Sequence, residues 1–166
     1  LSSVIDVRTN DGDMKNYHGV VSVGLLTSKI NFEGPIIKNR TSFNISARRS
    51  YIDLLAKPFM PKDEKYSYYF FDVNAKINHK FSDRSRLFLS AYNGKDHFMT
   101  KYDDTYYGDE DKYRDGGKMN WGNTIVSGRW NYIFNNKLFS NTTVAFNNYK
   151  FDVSTFTKNE IHTNNQ

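Results

Sequence analysis

The sequence predicts an all-β, antiparallel fold, and within that class a fragment of a transmembrane β-barrel. Three observations predict it. Apolar and polar residues alternate with a period of two, aromatic residues stand where aliphatic ones would be expected, and tight turns alternate with long connections. The clearest stretch is 68–92. Its first arm sets Tyr69, Phe71, Val73, Ala75, Ile77 and Phe81 against Asp72, Asn74, Lys76, Asn78 and Lys80, with only His79 interrupting the apolar row. Strand side chains point alternately to opposite faces, so one face is apolar and the other polar. Ser82–Ser85 turns the chain, and the return arm alternates Leu87, Leu89 and Ala91 with Arg86 and Ser90.

Composition agrees with this class. Only 38% of the 166 residues are apolar, yet aromatics reach 16%, with 12 Tyr and 13 Phe. Aromatic and β-branched side chains fit a pleated surface, which favours strands over helices. The mean hydropathy of −0.72 and the absence of a long apolar run exclude a transmembrane helix. Membrane strands escape that test, because each needs only about 9–11 residues and keeps a polar face. The net charge of +5 is spread over 23 basic and 18 acidic residues without a basic stripe, so no nucleic-acid partner is expected. With no cysteine, disulfides and thiolate metal sites are excluded. His18, His79, His97 and His162 lie too far apart in sequence to suggest a metal centre.

Taken in order, Leu1–Arg8 reads as a strand belonging to what precedes it, and Asn10–Asp13 as a turn. Val21, Val23 and Leu25 form one apolar row, and Ile30, Phe32 and Ile36 the next, ended by Gly34-Pro35. After Lys38–Arg40, Phe43, Ile45 and Ala47 return opposite Asn44, Ser46 and Arg48. Leu54–Lys65 carries two prolines and is expected to be a loop, as is Lys95–Lys118, rich in Asp, Tyr and Gly. The strand Met119–Phe134 sets Val126, Trp130, Tyr132 and Phe134 against Ser127, Arg129 and Asn131. Asn135–Lys137 turns it into a last strand, from Leu138 to about Phe156, and a loop-like tail begins at Thr157. These are about seven strands.

The tight turns at 38–40, 82–85 and 135–137 fall on one rim and the long connections on the other, with Thr27-Ser28 a short member of the second set. Short turns on one rim, long loops on the other and two-faced strands are the pattern of an outer-membrane barrel. Trp130, Tyr132 and Phe134 sit where an interfacial aromatic girdle belongs. A soluble β-sandwich also alternates, but nothing requires it to sort its connections. Seven strands do not close a single-chain bacterial barrel, so the chain is expected to be part of a longer one.

The residues carry a resemblance. The run LSSVIDVRTNDGDMKNYHG resembles the junction between plug and barrel in TonB-dependent outer-membrane receptors. VGLLTSKINFEGPI, TSFNISARRSYIDLL, FSDRSRLFLSAYNGKD and WGNTIVSGRWNYIFNNKLFSNTTVAFNNY resemble successive early barrel hairpins of that family. The resemblance implies a 22-stranded barrel in the outer membrane of a Gram-negative bacterium, with residues 1–16 ending the plug and 17–166 forming the N-terminal part of the barrel. It implies no enzyme and no cofactor. The implied partners are outer-membrane lipid, the TonB complex acting through the region before residue 1, and a scarce small-molecule or glycan ligand such as a siderophore, metal chelate or vitamin. A surface lipoprotein partner is left open. Two other readings remain at this point: a soluble β-sandwich that binds carbohydrate, and a small outer-membrane barrel acting as an adhesin.

No G-x-S-x-G is present and no histidine is paired with a nucleophile. Asp103-Asp104 and Asp109–Asp111 do not match a calcium loop and read as a solvated acidic loop. Tyr102, Tyr106, Tyr107 and Tyr113 in the same stretch are the candidate ligand contacts, since a tyrosine offers a large ring and a hydrogen-bonding tip. Arg48, Asp72, Asn74, Lys76 and Arg129 fall on the polar faces and are the candidate lumen-facing residues. A desolvated arginine there requires an anionic partner.

Overall fold

Each alternating run becomes a strand. The structure is a computed structural model that describes residues 9–61, 64–105 and 112–160, and Leu1–Arg8 lies outside them. The strands are β1 (His18–Val23), β2 (Thr27–Ile37), β3 (Thr41–Ser50), β4 (Glu64–Ser82), β5 (Ser85–Thr105), β6 (Lys112–Asn135) and β7 (Leu138–Glu160). They pair antiparallel in the order β1-β2-β3-β4-β5-β6-β7, so the sheet is a single meander whose end strands do not meet. It is open, and not a closed barrel.

The three tight turns share one rim, as expected, whereas the long loops expected at 95–118 and beyond 157 are largely strand. Between β2 and β3 the turn is closed by a 3.0 Å hydrogen bond from the Arg40 amide to the Ile37 carbonyl, with Asn39 at φ 61°. Asparagine tolerates this left-handed conformation better than most residues. Asp83-Arg84 and Asn136-Lys137 make the other two tight turns, on the same rim. The Asp83 carboxyl is held below the usual carboxylate range by the Lys80 ammonium that it accepts from.

Several boundaries differ from the sequence expectation. The stretch 95–118 is not a long loop: β5 runs to Thr105 and β6 starts at Lys112, with paired residues from Lys95↔Gly122 to Thr105↔Lys112. Its Asp and Gly content suggests a loop, but once the hairpin is in register each further pair extends an existing ladder. Pairing context outweighs weak strand propensity. For the same reason β7 continues past Thr157 to Glu160. The expected loop 54–65 overlaps a short helix, α1 (Ile52–Ala56), and a 3₁₀ turn (Lys57–Phe59) with Pro58 in its first turn, and β4 already begins at Glu64. Strand β1 stops at Val23, where Gly24 bonds back to Thr27, so Leu25 lies in the turn. Strand β2 passes through Gly34-Pro35, and a bulge between Pro35 and Ile37 absorbs the irregularity.

The register places two faces. On the odd face, so called from β4, lie Val21, Ile30, Phe32, Phe43, Ile45, Val73, Ile77, Leu89, Val126, Val144 and Phe146. No second layer of described residues covers them: Val21 is 71% exposed, Ile45 49%, Val126 50% and Phe146 63%. Apart from Thr41, the buried polar residues lie on the even face instead, among them Ser42, Asn44, Lys76 and Asn78. Phe88, on that same polar face, is the one buried hydrophobic side chain among the described residues. Relative to a soluble fold, the sheet is inside out.

The cover of the even face is the N-terminal segment 9–14. The Asp11 carbonyl accepts from the Ser42 hydroxyl at 2.9 Å, and the Met14 carbonyl accepts from the Asn39 amide at 2.9 Å. Gly12 sits over the β3 backbone at φ +81°, where a Cβ would run into the Phe43 carbonyl. Only glycine fits both the torsion and the close approach. Asp13 then caps the entry to β1: amide bonds from Lys15 and Asn16 and the His18 ring hold its carboxyl below the usual range.

Gly12→Ala is expected to destabilise docking of this segment by about 1–3 kcal/mol. The check is limited proteolysis of the folded protein. Cleavage between residues 9 and 17 should quicken at least several-fold while the hairpins stay intact, and an unchanged rate would show that the segment is not held there.

Candidate functional site

The even face has two chemically different halves. Near the tight turns it is charged. Arg48 donates to the Asp72 carboxylate through Nε at 2.8 Å and through its terminal nitrogen at 2.7 Å, a two-pronged contact that fixes both side chains. Lys76, 9% exposed, donates to the Thr9 carbonyl at 3.0 Å and pairs with the Asp11 carboxylate. Asn74 lies half-buried between Asp72 and Lys76 on the same face. Asn78 donates to the Ser42 hydroxyl at 3.2 Å and accepts from Arg86 Nε at 2.7 Å. Lys76, Arg86 and Arg129 surround the Phe88 ring, at 5.6, 5.0 and 4.5 Å from its centre. A ring whose face is ringed by cations explains why a phenylalanine stands in a polar row.

Toward the long connections the same face turns aromatic. Phe70, Tyr68 and Tyr66 follow Asp72 along β4, Phe98 stands opposite Tyr68 on β5, and Trp121 follows Asn123 on β6. Strand β7 adds Tyr149, Phe151 and Val153, all more than half exposed. The Tyr68 ring stacks on Trp121 at 6.3 Å, and its hydroxyl donates to Asp96 at 3.0 Å. Meanwhile the odd face does the reverse, passing from Phe146 to Asn148, Lys150 and Asp152 on β7. No bulge interrupts the ladders there, so the side chains exchange polarity while the backbone keeps its phase.

At the seam between the two halves of the even face lies a cavity of about 180 Å³. Its even-face lining is Arg48, Asp72 and Asp96 with Phe70, Tyr92 and Gly94. The Tyr92 ring lies over Gly94, where a Cβ would meet it. Two aromatic walls beside a guanidinium and carboxylates suit a ligand with an apolar body and several hydrogen-bonding groups.

Of the sequence-predicted residues, Arg48, Asp72, Asn74, Lys76 and Arg129 share the even face. Arg48 and Lys76 are paired within the chain, and the Arg129 Nε is buried without a hydrogen-bond partner among the described residues. Of the tyrosines, Tyr102 lies in β5 on this face, its hydroxyl 2.6 Å from that of Tyr66. Tyr106 and Tyr107 fall outside the described residues; Tyr113 has a backbone place in β6, opposite Asp104, and its side chain is outside the description. Sequence reasoning missed Tyr68, Phe70, Tyr92, Phe98 and Trp121. The signal was present as a change of phase: apolar residues occupy even positions in β7 at Val144 and Phe146, then odd ones at Tyr149, Phe151 and Val153.

Comparison with family models, with curated proteins and with solved structures found no match for this chain.

A double-mutant cycle of Lys76→Met and Asp11→Asn measures the tie between segment 9–14 and the sheet. The expected coupling is about 1 kcal/mol, kept low because the Asp11 side chain is partly open to solvent. Additive effects in thermal unfolding would show that the pair contributes nothing to docking.

Proposed function

We propose that this sheet is part of an outer-membrane β-barrel, with its odd face toward lipid and its even face toward a lumen filled by segment 9–14 and what precedes it. The observation that carries this reading is the uncovered apolar face. An antiparallel sheet in water buries one face against a second layer; among the described residues no such layer exists, and the soluble β-sandwich loses its main support. The apolar band also has suitable dimensions. From Phe71 to Phe81 it runs about 33 Å along β4 at roughly 3.3 Å per residue, and a strand tilt of about 40° reduces this to about 25 Å, the height of a barrel's lipid-facing band. Aromatic clusters border it at the tight-turn rim: His79 on Phe81 at 4.4 Å, and Tyr132 between Trp130 and Phe134 at 5.7 and 4.7 Å.

Within that class, the resemblance of the plug junction and four hairpin segments points to a TonB-dependent receptor, importing a scarce extracellular ligand with energy passed through TonB. Docking of 9–14 across the even face supports this reading, since a plug must leave the lumen at the tight-turn rim to begin the first strand. The aromatic half of the even face and the cavity beside Arg48 and Asp72 are then the ligand-facing surface of this part of the barrel. Siderophore, metal chelate, vitamin and glycan all remain compatible with it.

Two measurements test the proposal. Single Phe146→Cys and Ser154→Cys variants of the full-length protein place a thiol on the same face of β7, inside and beyond the band. A water-soluble thiol reagent applied to intact outer membranes should label position 154 and leave 146 unlabelled; equal labelling would remove the membrane assignment. Formaldehyde cross-linking in intact cells should join the full-length protein to TonB, and its absence would leave a barrel without energised import.

A further inference from the structure

Charges are sorted across the upper half of the sheet. From the Asp72 row toward the long connections, β4 to β7 carry no lysine or arginine on the even face. The lysines of that half, Lys101 and Lys118 among them, stand on the odd face, where Arg49, Lys95 and Lys150 share one register row beside Asp152. On the even face remain the carboxylates Asp72, Asp96 and Asp115, set between aromatic rings. Asp72 is neutralised by Arg48, and Asp115 accepts from the Thr157 hydroxyl at 2.6 Å. Asp96 has no such cation. Among the described residues it makes no ion pair, and its carboxylate accepts one hydrogen bond, from the Tyr68 hydroxyl.

Aromatic rings surround Asp96 on this face. Phe70 and Trp121 stand opposite it on the two neighbouring strands, and Phe151 stands beyond Trp121 on β7. Phe98 follows two residues on, and before it the Tyr92 ring covers Gly94. The Tyr68 ring stacks on Trp121. Asp96 borders the cavity of about 180 Å³, whose other charged lining is the Arg48–Asp72 pair and Lys95, which belongs to the odd face. Arg48 lies over the Phe70 ring at 4.9 Å, so one ring of this wall already carries a cation. The remaining even-face cation at this level, Lys29, is three strands away on β2. A carboxylate among rings favours a cation, and the rings present their electron-rich faces to the same charge.

We infer that Asp96 and the rings around it bind a protonated amine of the imported ligand, an inference that rests on the even face being the ligand-facing wall. A carboxylate offers about four acceptor sites and Tyr68 fills one, so the N–H donors of an ammonium group find partners. Methylene groups next to the nitrogen then lie against Trp121 and Phe151, the latter 57% exposed. A metal ion needs several oxygen or nitrogen ligands, and among the described residues no three acids or histidines come together. The cavity is smaller than the roughly 300–1,000 Å³ that takes a whole small-molecule ligand. It holds one amino group of a larger molecule. The ligand class narrows to amine-bearing compounds, and neutral glycans and anionic chelates drop out.

The test uses the full-length protein purified in non-ionic detergent and calorimetric titration with phenethylamine, its neutral counterpart phenethyl alcohol and its anionic counterpart hydrocinnamate. The amine should bind about tenfold more tightly than either counterpart. Asp96→Asn, which keeps the shape and an acceptor for Tyr68, should remove about tenfold of the amine affinity and leave the alcohol unchanged. Trp121→Leu should weaken the amine about threefold. Tyr68→Phe keeps the ring and frees an acceptor site, so binding should stay within about twofold. Equal binding of amine and alcohol, or normal amine binding by Asp96→Asn, overturns the inference. Equal weakening of amine and alcohol by Asp96→Asn also overturns it, because the carboxylate then holds the wall together and not a cation. Displacement of the amine by millimolar calcium would make this a metal site. Should Phe146→Cys be protected while the amine fails to bind, this inference falls alone. Should Phe146→Cys be labelled while amine binding still depends on Asp96, the barrel reading falls and the ammonium site stands.

Discussion

A single sheet has two faces and, among the described residues, no partner layer, and the other features of those residues follow from how the two faces are satisfied. Along the odd face Val21, Ile30, Ile45, Leu89, Val126, Val144 and Phe146 stay about half exposed or more, with no second layer of described residues over them. Burial of apolar area is the main favourable term in folding, at about 25 cal/mol per Å², so a face left open in this way is stable only against an apolar medium or another chain. The backbone is satisfied by its own ladders, with β1 and β7 as the two open edges. Only a closed sheet removes such edges, and the barrel proposed above would do so by making these seven strands an arc of a larger ring.

The even face is held by polar chemistry instead. Lys76, Asp11, Thr9 and Ser42 tie segment 9–14 to β3 and β4, and Asn78 and Arg86 extend the same network toward β5. Buried polar groups are tolerated when each finds a partner. Phe88 fits the scheme because three cations sit around its ring. This network holds the segment that leads the chain into β1.

The exchange of polarity halfway along β4 to β7 divides the sheet into two environments. Below it, the odd face is apolar and the even face charged; above it, the even face is aromatic and the odd face carries cations. Strands of 19 to 24 residues reach well beyond the 9–11 needed to cross a bilayer, so the upper half stands clear of the band. One sheet thus carries an apolar zone, a cationic row and an aromatic wall, each set by which alternate residue points where.

The alternation of Tyr69 to Phe81 with Asp72 to Lys80, and the turn residues at 38–40, 82–85 and 135–137, determined the strands, their antiparallel order and the rim shared by the tight turns, because period and turn chemistry are local properties. The lengths of β5, β6 and β7 were not legible: Asp103, Gly116 and Gly117 resemble loop residues, and only the partner strand makes pairing favourable there. The polar even-face positions Arg48, Asp72, Asn74, Lys76 and Arg129 were legible from alternation, whereas their partners were not. Asp11 lies 65 residues before Lys76 in the sequence, so only the fold brings that carboxylate to that ammonium. The same holds for Arg49, Lys95 and Lys150, scattered along the chain and joined in one row by register alone. Local pattern decides which way each side chain points, and cross-strand register decides whom it meets.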